Sequence, residues 1–388
     1  MEKLIVKNFG PIKEAEIDLT KYVVFIGDTS TGKSVLAKLI AIFKNSSFKQ
    51  LYLNKNKLIE KLDEFNSNFL DEKTIIKFES SEVVIQYHDS EFSITDRKTN
   101  QQIPLDHYNK ENSKLFIELF KNIFQALDEN SEVDIQENIN IESYLQKISF
   151  DTPIYVPAER IIYSMVSGAI SGLVSNNVAL AKCYKDFASK FEVARKKISE
   201  KDYKNFGFRY KFNDNSDYIE FNGKKINLSQ SSSGIQSLIP LLLVLDNELS
   251  QSVPNIANTI VVEEPELNLF PIKQKKIIEF IVEKVNFSNS SMIITTHSPY
   301  ILSVLDTLIL AKNTYNEHLD LKVEINSIIT ESKWINYDDI SVYEVRNDGT
   351  VHSIKNEEFK SIDANAIDSV SDIISNEFDK LTDLRYAQ

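Results

Sequence analysis

The sequence predicts an α/β fold in which a mixed or parallel sheet is flanked by helices and carries an inserted lobe. Three observations predict this fold. An apolar strand, YVVFI at residues 22–26, ends in a glycine-bounded loop that leads into a helical pattern, VLAKLIAIF. Two later runs, TIVVEEPE and SMIITTHS, have the β-branched residues of central parallel strands that are covered on both faces. Residues 44–150 are richer in Lys, Asn, Asp, Glu and Ser, and they predict the insertion.

The composition is that of a globular chain too long for one simple core. The 388 residues are 42% hydrophobic and 26% charged, with a formal charge of −13. This acidic balance disfavours a protein whose whole surface coats nucleic acid, although a local basic face stays compatible with it. A single cysteine, Cys183, excludes an internal disulfide, and the N-terminal residues lack the apolar stretch of a signal peptide. We therefore expect a cytoplasmic protein without a membrane segment.

The order of elements predicts a discontinuous head domain and three further segments. Residues 1–26 read as two antiparallel strands and a buried strand, and helical stretches are expected at 56–70 and 114–128. Strand pairs are expected at 73–87 and 91–95. The predicted boundaries are residues 1–43, 151–160 and 207–345 for the head, 44–150 for an inserted α/β lobe, 161–206 for a helical basic segment, and 346–388 for an acidic C-terminal tail.

The loop after the first buried strand matches the pattern G-x-x-x-x-G-K-[ST], which binds nucleotide phosphates. Its backbone N–H groups would cradle the phosphates, Lys33 would reach the β and γ oxygens, and the Ser34 hydroxyl would coordinate Mg²⁺. The match lies between a predicted strand and a predicted helix, as this mechanism requires. The predicted ATP-binding residues are Gly27, Asp28, Thr29, Ser30, Thr31, Gly32, Lys33, Ser34 and Val35.

Polar side chains follow the two β-branched strands at the edge of the sheet where ligands of open α/β folds bind. Glu263 and Glu264 end the run TIVVEE, and His297 follows MIITT. Glu263 is predicted to hold Mg²⁺ through water, and Glu264 to polarise the attacking water as general base. His297 is predicted to hydrogen-bond the γ-phosphate or that water. Lys33, Glu264 and His297 are the predicted catalytic residues.

A hydroxyl-rich loop, LSQSSSGIQ at residues 228–236, opens directly into an apolar helix. Its helix N-terminus can offer N–H groups to an anion, although the same pattern also suits a well-capped helix start. We call residues 228–236 the signature loop below.

In this order, the phosphate loop, signature loop, paired acids and strand-end histidine resemble the ABC-type ATPase heads of the soluble RecF/SMC/OLD-like branch. LIVKNFGPIKEAEIDL is similar to the opening strands of that branch, and YVPAER at 155–160 also looks like one of its segments. EEPELNLFP is similar to its Walker B and D-loop, and SSSGIQSLIPLLLVL to its signature helix. Ile235 replaces the second signature glycine, Glu263 stands where many of these ATPases have Asp, and no glutamine loop is evident.

The resemblance implies a Mg²⁺-dependent ATPase whose homodimer sandwiches two ATP molecules. Each ATP would be bound by the Walker motifs of one chain and by Ser233, Gly234 and Gln236 of the other. The family's compact heads occur in bacterial anti-phage defence systems, where the ATPase controls a separately encoded nuclease or toxin. The sequence after His297 is too short for a nuclease domain, so the resemblance implies a separate effector, and assemblies larger than a dimer stay open.

Two other functions stay open from the sequence. Residues 182–211 hold ten basic and four acidic side chains, a net charge of +6, and such a segment is either a solvated helix face or a patch for nucleic acid. The second reading predicts a DNA-repair or DNA-end-binding ATPase. A P-loop transferase is the third reading, and it would need no signature loop.

Overall fold

The computed structural model describes residues 2–46, 48, 53–114, 153–166, 172, 180–250, 258–288, 290–363 and 369–386. The predicted helix at 114–128 lies outside the described residues, apart from its first residue. The strands are β1 (Glu2–Phe9), β2 (Ile12–Leu19), β3 (Tyr22–Gly27), β4 (Ile75–Glu79), β5 (Val83–His88), β6 (Glu91–Asp96), β7 (Gln102–Ile103), β8 (Ile154–Val156), β9 (Glu200–Tyr203), β10 (Phe208–Asn213), β11 (Ser216–Phe221), β12 (Lys224–Asn227), β13 (Thr259–Glu263), β14 (Ser291–Thr296), β15 (Ile340–Val345), β16 (Val351–Ser353), β17 (Lys355–Asn356) and β18 (Ser361–Ile362).

The helices complete an α/β architecture, which confirms the predicted class. They are α1 (Lys33–Lys44), α2 (Lys55–Glu64), α3 (Ile161–Met165), α4 (Lys182–Lys197), α5 (Ser233–Leu249), α6 (Pro271–Ser288), α7 (Pro299–Glu317), α8 (Lys322–Ile328) and α9 (Ser369–Tyr386). Among the described residues, no helix combines the length and apolar character needed to cross a bilayer.

The central sheet is mixed and has the strand order β16-β15-β3-β14-β13-β8. β15, β3, β14, β13 and β8 run parallel, and only β16 is antiparallel to its neighbour. The two β-branched runs of the sequence are β13 and β14, which pair in parallel as predicted. Every residue of β13 is buried, as expected for a strand covered on both faces.

Alternate residues of the central strands enter two different cores. Tyr22, Val24 and Ile26 of β3 pack in one core with α4, α5, α6 and α7. Val23 and Phe25 of the same strand pack in the other core, with α1 and the strands β1, β2, β4, β5 and β6. This follows from the two-residue period of a strand. The central sheet is therefore the middle layer between a helical layer and a layer formed by α1 and a second sheet.

The second sheet crosses the predicted boundary between head and inserted lobe. Its order is β2-β1-β4-β5-β6-β7, and β4 pairs with β1 in register Leu4 with Phe78 and Val6 with Ile76. The apolar faces of β1 and β4 share the core around α1. Residues 75–103 thus extend the sheet of the N-terminal hairpin, and the division at 43/44 stays a prediction.

Two further segments differ in local structure from the sequence expectation. Residues 200–203, expected in a helical segment, form β9, which pairs antiparallel with β10. Tyr203 is buried there and donates a hydrogen bond to Asp246 on α5, so a tertiary contact overrides the helical pattern. Residues 351–353, assigned to the acidic tail, form β16 on the edge of the central sheet.

We predict that Phe78→Ala destabilises the whole chain in one transition. Phe78 is fully buried, and its ring stacks on Phe43 of α1 with centroids 5.7 Å apart. A buried Phe→Ala change costs about 3–5 kcal/mol of unfolding free energy, measured by urea denaturation. Phe359→Ala is the control, because Phe359 is 71% exposed and its loss should change stability by less than about 0.5 kcal/mol. Separate unfolding of residues 53–114 would contradict a shared core.

Candidate functional site

The phosphate-binding loop, residues 27–34, leaves β3 and enters α1 with the backbone shape that glycine permits. Gly27 has φ 155° and Gly32 has φ 108°. A Cβ at Gly27 would lie 2.2 Å from the carbonyl oxygen of Val345, and one at Gly32 would lie 2.5 Å from Ile12 Cδ1. Gly32 caps α1 without a side chain, so the amides of the first turn are directed towards the loop opening. The loop is shaped to hold an anion.

The side chain of Lys33 bonds to the backbone of this loop. Its Nζ donates to the carbonyl oxygens of Gly27 at 3.0 Å and Asp28 at 2.6 Å, and it lies 3.4 Å from His297 Nδ1. The side chain is buried, and this burial lowers the pKa of Lys33, while Glu264 and Asp28 oppose the shift. A desolvated ammonium held by carbonyls is ready to exchange them for phosphate oxygens.

The rest of the predicted ATP-binding set divides into an open rim and a packed base. Asp28, Thr29 and Ser30 are exposed, and Ser30 has a left-handed backbone with φ 64°. Thr31 is buried and donates through Oγ1 to the Asp28 carbonyl at 2.9 Å. Val35 packs against the core on the α1 side of the sheet, so its contribution is to fix the helix.

Glu263 ends β13 as a buried carboxylate with spare ligand capacity. It is 4% exposed, and its Oε1 has no hydrogen-bond partner among the described residues. Burial raises the pKa of Glu263, while Lys38 and the nearby hydroxyls of Tyr155 and Ser34 lower it. An orphaned carboxylate oxygen beside the Ser34 hydroxyl is the oxygen-donor chemistry that Mg²⁺ prefers. The predicted Mg²⁺ residues, Ser34 and Glu263, therefore fit the ion.

Glu264 follows directly and has a different environment. Its side chain is 27% exposed, and its Oε1 lies 3.3 Å from His297 Nε2. The backbone is left-handed, with φ 43°, which is costly for a residue with a Cβ and recurs at functional sites. The main-chain N–H donates to the Thr295 carbonyl oxygen at 2.9 Å. The two adjacent carboxylates therefore differ in burial and in their neighbours.

His297 lies between the other two predicted catalytic residues. Its Nδ1 faces Lys33 Nζ and its Nε2 faces Glu264, which favours the tautomer with the proton on Nε2. The structure therefore brings Lys33, Glu264 and His297 into one contact chain at the carboxyl edge of the sheet.

Glu266 is a site residue that the sequence analysis missed. Its Oε1 accepts from the Thr296 hydroxyl at 2.6 Å and from the His297 backbone N–H at 2.8 Å. Burial raises the pKa of Glu266, and these two hydrogen bonds oppose that shift. The carboxylate thereby fixes the start of the His297 segment. The available signal was the third acid in the run EEPE, two positions after the pair.

The signature loop leads into α5 close to the segment after β13. Ser233 is exposed, and a Cβ at Gly234 would lie 2.7 Å from the carbonyl oxygen of Asn268. Gln236, predicted to contact ATP, instead donates through Nε2 to the carbonyls of Ser229 at 2.8 Å and Ser231 at 3.1 Å. In this structure Gln236 braces the loop that presents Ser233 and Gly234.

The basic segment at 182–211 is less positive as a surface than its sequence suggests. Within the described residues, seven of its ten basic side chains form ion pairs with carboxylates. They are Lys182, Lys190, Arg195, Lys196, Lys201, Arg209 and Lys211. Arg195, for example, is buried and bonds Asp217 at 3.0 Å. Much of the +6 charge is therefore neutralised locally.

Comparison with known proteins identifies the family. A family model described as the AAA ATPase domain matches residues 1–168 and 169–302, which is more than half of the chain. The chain therefore belongs to this family and is an ATP-binding ATPase. The predicted fold class, an α/β P-loop ATPase head with a mixed sheet flanked by helices, is confirmed. No curated protein matches the chain.

Similar solved structures include three SMC heads. An SMC head bound to the C-winged helix domain of ScpA is 14% identical, with a TM-score of 0.44, and the match covers 91% of this chain and 96% of that one. The SMC head domain from Thermotoga maritima is 13% identical, with coverages of 78% and 90% and a TM-score of 0.35. An Smc head with an extended coiled coil, bound to the C-terminal domain of ScpA derived from Pyrococcus furiosus, is 13% identical, with coverages of 96% and 100% and a TM-score of 0.37.

We predict that Gly27→Ala abolishes nucleotide binding. An alanine at position 27 would have to adopt φ 155°, which L side chains rarely do. Its Cβ would also collide with the Val345 carbonyl, so the loop entrance would have to move. The measurement is titration with a fluorescent ATP analogue. Gly223→Ala is the matched control, because Gly223 also has a positive φ, 74°, but has open space around its Cβ position. Equal loss of binding in both variants would show that general backbone strain, and not the loop clash, is responsible.

Proposed function

We propose that the chain is an ABC-type ATPase whose homodimer closes around two ATP molecules and gates a separate effector protein. The observation that carries the proposal is the contact chain of Lys33, His297 and Glu264 beside the phosphate-binding loop. These groups follow three neighbouring parallel strands of one sheet, β3, β14 and β13. Their chemistry, a cation for phosphate, a carboxylate for water and an imidazole between them, is that of ATP hydrolysis.

Each residue has a definite task in this proposal. Lys33 would leave its carbonyl partners and bind the β and γ oxygens of ATP. Glu264 would orient the attacking water and accept its proton, since its carboxylate is partly open to solvent. His297 would hydrogen-bond the γ-phosphate while Glu266 fixes its backbone. Catalysis would come mainly from positioning and charge stabilisation, as in phosphoryl transfer generally.

Mg²⁺ would be held by the Ser34 hydroxyl and, through water, by Glu263. When bound, the ion would neutralise charge on the β- and γ-phosphate oxygens. The unpartnered Oε1 of Glu263 supports this assignment, since a buried carboxylate oxygen without a donor is otherwise unfavourable. The side chain of Glu263 is one methylene longer than that of Asp. We therefore expect its carboxylate to lie further from the backbone of β13 than the carboxylate of an Asp at this position would.

The proposed dimer follows from where the signature loop directs its donors. α5 starts at Ser233 without a side-chain cap, so its first amides are directed outwards at an exposed helix N-terminus. Gly234 lies against the Asn268 segment of its own chain. These features support a site for the γ-phosphate of an ATP bound to a second chain. Gln236 would then act by bracing the loop.

The biological setting is proposed from the resemblance of the sequence motifs. The resemblance to compact RecF/SMC/OLD-like heads supports a cytoplasmic regulator of a separately encoded nuclease or toxin, in anti-phage defence. DNA-repair or DNA-end binding is the alternative, and the local neutralisation of the basic segment at 182–211 weighs against it. A P-loop transferase would work as a monomer and leave the signature loop without a role.

We predict that Glu264→Gln forms a stable ATP-bound dimer and slows hydrolysis. A positioned general base contributes roughly 10²–10⁴ in rate, so turnover should fall at least about 100-fold while ATP still binds. Light scattering with and without ATP and Mg²⁺ measures the dimer, and phosphate release measures turnover. Glu358→Gln is the control for loss of one charge, because Glu358 is exposed.

Two results would contradict this proposal in different ways. Wild-type turnover by Glu264→Gln would remove Glu264 from the role of base. A monomer that binds ATP but never dimerises would exclude the sandwich and favour the transferase.

A further inference from the structure

Arg160 is a fully buried cation that connects three segments of the chain through backbone carbonyls. It lies in the turn between β8 and α3 and is 1% exposed. Its Nη1 donates to Glu263 O at 2.8 Å and to Pro157 O at 3.1 Å, and its Nη2 donates to Glu264 O at 2.7 Å. Its Nε donates to Ser237 O on α5 at 3.1 Å. One planar guanidinium thus joins the end of β13 to the helix that begins at the signature loop.

A second attachment to α5, made by Ser164 of α3, is a consequence of Pro240. Proline lacks an N–H, so the carbonyl of Gln236, four residues earlier, loses its helical donor. Ser164 on α3 supplies the replacement, since its buried Oγ donates to Gln236 O at 2.6 Å. The turn that carries Arg160 therefore holds two successive carbonyls of α5, those of Gln236 and Ser237. Both lie one turn after Ser233.

At the end of β13, Arg160 bonds to Glu264, the residue of the site whose backbone is strained. Glu264 has φ 43°, a conformation that persists only when the surroundings determine it. Its carbonyl is held by Arg160 and its N–H by Thr295 O. Burial lowers the pKa of Arg160 to about 10, so the guanidinium stays charged at neutral pH. Charged donors make the stronger hydrogen bonds.

We propose that Arg160 is a positioning residue that couples the signature loop at the start of α5 to the backbone of Glu264. This inference rests on the proposed ATP-sandwich dimer. When Ser233 and Gly234 engage the nucleotide of the second chain, α5 is drawn towards it, and Arg160 transmits the shift to the Glu263 and Glu264 carbonyls. Glu264 then reaches its water-orienting position only in the closed dimer, which ties hydrolysis to dimerisation.

The first test separates turnover from binding. Arg160→Gln removes the four-donor fork, and kcat should fall about 10- to 100-fold, because small displacements of a catalytic group cost that much. The dissociation constant of a fluorescent ATP analogue should change less than about twofold, since the hydrogen bonds of Arg160 go to Pro157, Ser237, Glu263 and Glu264 and not to residues 27–34. Arg160→Lys should recover only part of kcat, because one ammonium cannot match the fork. Wild-type kcat for Arg160→Gln would overturn the inference.

The decisive test is a double-mutant cycle between Arg160→Gln and Ser233→Ala. If Arg160 transmits the shift of α5 that follows when Ser233 binds the second chain's nucleotide, the double variant should have nearly the kcat of the slower single variant. If the factors by which the two single substitutions lower kcat multiply in the double variant, Arg160 acts independently of the signature loop. That result would overturn the coupling. Ser164→Ala, which removes only the bond to Gln236 O, gives a milder second variant if Arg160→Gln folds poorly, and it should show the same non-additivity.

Two controls keep the outcomes distinct. Arg195→Gln removes another buried arginine, paired with Asp217 away from β13, so it should lower the melting temperature without lowering kcat per folded molecule. If Glu264→Gln shows no ATP-dependent dimer, the proposed function fails. If Glu264→Gln does dimerise with ATP, and the effects of Arg160→Gln and Ser233→Ala on kcat multiply, only the role of Arg160 fails.

Discussion

The parallel register of β13, β14 and β3 is the constraint on which the site depends. Glu263 pairs with Thr295, and Thr296 pairs with Ile26, so the three strands reach the same edge within one residue of each other. Glu264, His297 and the phosphate-binding loop leave the sheet there and come into contact. A shift of one residue would turn each strand's buried residues to the opposite core. Packing on both faces therefore fixes the catalytic geometry.

Burial of charge at this edge is balanced mainly by backbone groups and hydroxyls. Carbonyl oxygens surround Lys33 and Arg160, and hydroxyl and N–H donors serve Glu266. Such dipoles are fixed by the fold, so they stabilise these charges before substrate binds. Glu263 and Glu266 each keep one carboxylate oxygen without a donor among the described residues. The unpartnered oxygen of Glu263 belongs to the residue proposed to hold Mg²⁺ through water.

The sequence could predict the parts of the site that follow from local pattern. The loop at 27–34 and the acids after a β-branched strand carry their signals within a few residues, and His297 does the same. Arg160, Glu266 and the inward turn of Gln236 depend on carbonyls and hydroxyls supplied by distant segments, which no periodicity encodes. Composition likewise set a boundary at residue 43, whereas the pairing of β4 with β1 is decided by a shared apolar face. Long-range partners, not propensities, account for these differences.

Pro240 interrupts the hydrogen-bond ladder of α5 close to the point where two other side chains bond to this helix. Proline inside a helix costs roughly 3 kcal/mol when the carbonyl it deprives stays without a donor. In α5 that carbonyl bonds Ser164, and the next one bonds Arg160, so the helix is joined to the turn after β8 at the point where its own ladder is interrupted. An uninterrupted helix would have satisfied Gln236 O internally and left Ser164 without this partner. The interruption therefore accounts for the bond between α3 and the helix that begins at the signature loop.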